Sequence, residues 1–115
     1  MHSFRLAGWQ ESVLKEFRKL YDQRETALAL LVCEGDVIKA HPRILYANST
    51  LAREFIQEQG SRQPFTLAVG FCKTQELIRA LQVLYGYTVT VSTPTEASLL
   101  RSALEEIGVH YWESC

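Results

Sequence analysis

Residues 65–113 read FTLAVGFCKTQELIRALQVLYGYTVTVSTPTEASLLRSALEEIGVHYWE. Three strand-like runs alternate here with two helix-like runs, and the joints are tight. Phe65 to Val69 reads as a strand closed by Gly70. A helix follows from Cys72 or Thr74 to Tyr85, with Leu77, Ile78, Ala80, Leu81, Val83 and Leu84 covering most of its circumference. Gly86 caps it. Tyr87 to Ser92 alternates strictly, Tyr87, Val89 and Val91 against Thr88, Thr90 and Ser92, so one face of that strand is polar. Thr93-Pro94-Thr95-Glu96 is a capping box, in which hydroxyl and carboxylate each satisfy a free backbone N–H, with proline at the first helical position. Ala97, Leu100, Ala103, Leu104 and Ile107 form the apolar stripe of the helix it starts. Gly108 ends that helix, and Val109 to Trp112 reads as a last strand.

Working outward from this half, Ala27 to Cys33 (ALALLVC) is a uniformly apolar run. It suits a strand covered on both faces at the centre of a sheet. Glu34-Gly35-Asp36 turns the chain, Val37 to Ala40 reads as a short return strand, and His41-Pro42 interrupts it. Arg43 to Ala47 reads as another strand. Asn48, Ser49 and Thr50 are good N-caps for a helix whose stripe is Leu51, Ala52, Phe55 and Ile56, and Gly60 ends it. Trp9, Val13, Leu14, Phe17, Leu20 and Tyr21 share one face of an amphipathic helix spanning about residues 9–23. The expectation is an α/β fold forming a single small domain over residues 1–115. It has a four- to five-stranded mixed, largely parallel sheet flanked by about four helices.

RILYANSTLAREF (43–55) resembles the strand-and-helix opening of a PAS sensor domain. YTVTVSTPTEASLLRSALEEIGVHYW (87–112) is similar to the strand-helix-strand unit of small ferredoxin-like regulatory domains. Neither resemblance carries functional residues onto this chain.

The chain has 115 residues, is 47% hydrophobic and 22% charged, and carries a formal net charge of -1. That balance suits a folded globule and argues against duplex binding, which favours a basic excess. A nucleic-acid role would rest on Arg5, Lys15, Arg18, Lys19 and Arg24, diluted by acidic neighbours. The longest apolar run falls far short of the ~20 residues of a membrane span. MHSFRLAGWQES lacks the apolar centre of a signal peptide, so the expected location is cytoplasmic. Cys33, Cys72 and Cys115 have no ligand-like spacing, and no His/Asp/Glu set does either. Neither metal nor cofactor is expected.

Two readings of the chemistry stay open. Beyond the carboxyl ends of parallel strands, the loops holding Cys72, Lys73 and Thr74 and holding Ser92, Thr93 and Thr95 could converge on a phosphate or carboxylate. The same residues also serve as plain helix caps. Cys72, beside Lys73 in a first helical turn, would have its thiolate favoured. His41 lies in sequence near Glu34 and Asp36, and His2 sits at a frayed end. Tyr111 and Trp112 point to opposite faces of the last strand, which suits a dimer contact. The leading expectation is a small binding or regulatory module acting through a homodimer or a protein partner. The alternatives are a small-anion binder or enzyme using the two loops, and an accessory nucleic-acid-binding protein.

Overall fold

A computed structural model describes residues 1–60 and 62–115. The chain forms strands β1 (His2–Leu6), β2 (Ala29–Cys33), β3 (Asp36–Ala40), β4 (Phe65–Ala68), β5 (Val89–Val91) and β6 (Tyr111–Ser114). Its helices are α1 (Glu11–Tyr21), α2 (Pro42–Asn48), α3 (Thr50–Gln59), α4 (Thr74–Leu84) and α5 (Pro94–Ile107). The strands divide into two three-stranded sheets, in orders β5-β1-β6 and β3-β2-β4.

This corrects the single, largely parallel sheet with about four helices. Among the described residues only β2 and β4 are hydrogen-bonded in parallel; every other ladder is antiparallel. The physical reason is β1. His2, Phe4 and Leu6 alternate with Ser3 and Arg5, a period of two that makes these residues a strand. β1 pairs antiparallel with β5 on one side and with β6 on the other. The strand-helix-strand unit β5-α5-β6 therefore keeps its parallel sense but closes around β1, apart from the β2 sheet. His2, expected at a frayed end, is paired opposite Val91.

A second correction concerns Arg43 to Ala47, which are helical within α2. Pro42 occupies a first-turn position, where its missing N–H is not needed. Ile44, Leu45 and Asn48 are buried, a helical spacing that puts one side of α2 on the core. β2 is central in its sheet as expected, but its residues alternate between fully and partly buried rather than being covered on both faces. β6 begins two residues later than the expected last strand.

The local punctuation matches the sequence closely. The β2–β3 hairpin turns on Glu34 (φ 53°) and Gly35 (φ 83°), a two-residue loop with both central residues left-handed. Ser49 caps α3 by accepting from the Ala52 N–H at 3.0 Å. Thr93 and Glu96 form the full capping box at α5. One continuous core unites both sheets, with Phe4, Leu77, Leu81, Leu84, Tyr85, Leu100 and Leu104 among its largest buried side chains. No helix among the described residues is long and apolar enough to cross a membrane.

Candidate interaction surface

The β5-β1-β6 sheet has one face on the core and one in solvent. Phe4, Leu6, Val89 and Val91 are buried. Their alternates look outward. The register sets Ser3 beside Thr90 and Ser114, and Arg5 beside Trp112. The Ser3 and Thr90 hydroxyls lie 3.0 Å apart, and the Arg5 guanidinium stacks 4.6 Å from the Trp112 ring centroid. Trp112 is 55% exposed. A shallow depression of about 530 Å³ is bordered by Ser3, Arg5, Thr88, Trp112, Glu113 and Ser114. An exposed tryptophan held flat by a guanidinium loses little side-chain freedom on binding, which makes it a good anchor. Among the described residues β5 and β6 each pair only with β1, so both outer edges keep backbone groups able to take another strand.

Tyr111 and Trp112 part company as their alternation requires. Tyr111 turns inward, its ring 5.9 Å from that of Phe4 and its hydroxyl donating to the Glu105 carboxylate at 3.2 Å. Burial, with Glu105 beside it, pushes its phenol up to about 12. Trp112 alone of the pair is presented to solvent. Ser3 and Arg5 were not among the residues singled out for an interface. The signal that could have found them is the alternation of HSFRL.

The two loops considered for an anion lie at the ends of strands in different sheets, β4 and β5. The Thr74 backbone N–H donates to the Glu34 carboxylate at 2.8 Å, and its hydroxyl to Asp36 at 2.9 Å. The donors that an anion would use are thus held by resident carboxylates. Lys73 precedes α4 and makes no side-chain cap. Burial pushes the Cys72 thiol up to about 11, with Cys33, Glu76 and Glu34 acting in the same direction. That is opposite to the activation expected from Lys73 and the helix start. Cys33 is core and directs its thiol at the Cys72 carbonyl, 3.1 Å away. At the other loop, Thr93 is engaged with Glu96 through both backbone and hydroxyl, while Ser92 and Thr95 are exposed.

His41 meets neither Glu34 nor Asp36. Its backbone N–H donates to the Tyr85 hydroxyl at 2.8 Å, and its Nδ1 lies 2.6 Å from the same oxygen. The cations weighed for nucleic acid are mostly engaged. Arg18 donates to the Gly86 carbonyl and pairs with Glu11, Lys19 pairs with Glu16, and Arg24 stacks on Tyr21.

No protein-family model matches the chain. Its backbone is similar to the BTB (Tramtrack and Bric a brac) domain of human Gigaxonin. The TM-score is 0.71 at 17% identity, covering 88% of this chain and 84% of that one. The fold is BTB-like. The BTB domain of zebrafish PATZ1 is similar too, with a TM-score of 0.65 at 18% identity over 87% of this chain and 85% of that one. In sequence, a Longitudinals lacking protein-like protein of Drosophila melanogaster is 28% identical over 97 residues, which are 83% of this chain and 74% of that protein. Within the BTB-like fold, the outer face of the β5-β1-β6 sheet carries the largest exposed aromatic of the C-terminal half, Trp112.

Proposed function

We propose that this chain is a protein–protein interaction module that self-associates as a homodimer through the outer face and the β6 edge of its β5-β1-β6 sheet. The observation that carries the reading is Trp112, more than half exposed, stacked by Arg5 and bordered by Ser3, Thr88 and Ser114. Tryptophan and arginine together at the centre of a patch are the residue types that dominate binding energy at interfaces. The BTB-like fold supports the same reading, because BTB domains mediate homo- or hetero-oligomerisation. All three cysteines are free thiols, which supports a cytoplasmic, reducing location. A regulatory role follows if assembly brings partners together.

Light scattering coupled to size exclusion tests the assembly. A concentration-dependent dimer is the expected result. Trp112→Ala should weaken it by about 30-fold, the equivalent of ~2 kcal/mol for an interface anchor. A strict monomer at high concentration would sink self-association. An unchanged dissociation constant in Trp112→Ala would move the interface elsewhere.

A further inference from the structure

At one rim of the β5-β1-β6 sheet, three side chains of different chemistry meet. His2 begins β1, while Glu113 and Cys115 sit at the end of the chain, two residues apart. The register Ser3↔Ser114 and Phe4↔Glu113 sets His2 opposite Cys115, with Glu113 on the same, inward side. His2 Nδ1 is 3.4 Å from Glu113 Oε2 and 3.5 Å from Cys115 Sγ. All three candidate ligand atoms lie within 4.8 Å of one another.

We propose that His2, Glu113 and Cys115 form a binding site for a thiophilic divalent cation, zinc above all, that staples the first strand of the chain to its last. The donor set is one imidazole nitrogen, one carboxylate oxygen and one sulfur, the combination that borderline-soft zinc takes. The spacing fits as well. Bonds of about 2.0–2.3 Å at tetrahedral angles put nitrogen and oxygen ~3.3 Å apart, and nitrogen and sulfur ~3.5 Å apart. The His2–Glu113 and His2–Cys115 separations match these values, and Glu113 and Cys115, within 4.8 Å of each other, need only close together around the ion. A fourth position stays open on the exposed Cys115 side, for water or a further ligand.

Among the described residues, Arg101 on α5 is the cation bonded to this cluster. It donates to Glu113 from Nε at 2.8 Å and from Nη2 at 2.6 Å. Those two bonds use one acceptor direction on each oxygen and leave the other free. A hydrogen-bonded carboxylate held in one orientation is the usual support of a metal ligand. The guanidinium also repels the incoming ion, so the site should bind less tightly than an all-cysteine one. The thiol must lose its proton as the metal enters, so affinity rises with pH.

The test uses untagged, reduced protein with zinc alone in isothermal titration, and with cobalt as a spectroscopic probe. One zinc should bind per chain, releasing a proton and raising the unfolding temperature, and cobalt should show a thiolate charge-transfer band. Cys115→Ser, at an exposed position outside the core, should abolish that band. It should also weaken zinc binding by more than the roughly 10- to 100-fold lost when an outer-shell partner is removed. His2→Ala should weaken it comparably, and Cys72→Ser should leave it unchanged. The proposal is overturned if zinc shows no saturable binding, or if Cys115→Ser and His2→Ala both bind like the parent protein.

Discussion

Gly108→Ala probes how tightly α5 is joined to α3. Gly108 ends α5 at φ 81°, and a Cβ added there would lie 2.7 Å from Thr50 Cβ and 3.1 Å from the Thr50 backbone nitrogen. The joint is bonded as well as packed. The Thr50 N–H and hydroxyl each donate to the Gly108 carbonyl at 3.1 Å, and the Ser49 hydroxyl donates to the Ile107 carbonyl at 2.9 Å. Three terms then set the size of the effect. A left-handed non-glycine residue costs about 1–2 kcal/mol. Forcing Thr50 aside costs about 1–3 kcal/mol, as overpacking does. Alanine restricts the unfolded chain, which offsets about 0.4–1 kcal/mol. The net expectation is a loss of about 1–4.6 kcal/mol. Gly35 supplies the control, since it has φ 83° but nothing within 4 Å of an added Cβ. Gly35→Ala carries the first and third terms only, so the two variants should differ by the overpacking term alone, about 1–3 kcal/mol. Urea unfolding followed by circular dichroism measures both, provided the slopes agree. If Gly108→Ala is no more destabilising than Gly35→Ala, the close approach of α5 to α3 is wrong.

The His41–Tyr85 pair predicts stability limits on both sides of neutrality. Burial, with Arg43 and then Arg24 adding to it, holds His41 below its ordinary value of 6.5. The unfolded chain therefore takes up this proton first, and stability is lost as pH falls below that value. Burial pushes Tyr85 from 10.0 up to about 12, so the folded state keeps its proton longer and stability also falls as pH rises above 10. Tyr85→Phe should flatten the alkaline limb of a thermal-unfolding profile against pH and leave the acid limb, which rests on the burial of His41 and on Arg43 and Arg24, in place. It should also cost about 1–3 kcal/mol at neutral pH by orphaning the His41 N–H. In timed alkylation read by mass spectrometry, exposed Cys115 should react first and Cys72, with its thiol near 11, far more slowly at pH 8. The Arg101 bonds hold the Glu113 carboxyl below its ordinary range, a contribution present above that range and lost as pH falls through the lowered value. Arg101→Ala should therefore be destabilising at neutral pH and nearly silent at pH 2.

What could be read in the sequence was local. The caps at Ser49 and Thr93, the Glu34-Gly35 hairpin turn and the ends of α3 and α5 all depend on residues within four positions of one another. Their chemistry is complete in a short window. The strand assigned to Arg43–Ala47 failed because the four apolar residues Ile44 to Ala47 have no decisive period; burial of Ile44, Leu45 and Asn48 on one side is settled by what α2 packs against. The sheet split failed for a stronger reason. No local feature of HSFRL says that its partners lie near residues 90 and 112. The face proposed as an interface was half legible: the exposure of Trp112 follows from its alternation with Tyr111, whereas Arg5 joins it only through pairing across the sheet.

That pairing governs more than architecture. β5 and β6 have no other strand neighbour among the described residues, so β1 supplies all the ladder bonds of their sheet. The same register that stacks Arg5 on Trp112 sets His2 against Cys115. The proposed binding face and the proposed ion site are therefore opposite sides of one alignment. A slip of one residue would turn Arg5 inward and Phe4 out, because side chains alternate with a period of two. Phe4 is fully buried and Leu6 nearly so. Burying a side chain of that size is worth ~1.5–3 kcal/mol, and burying an unpaired guanidinium is strongly unfavourable. Two apolar residues in a five-residue strand thus fix the register, and the register creates both proposed surfaces.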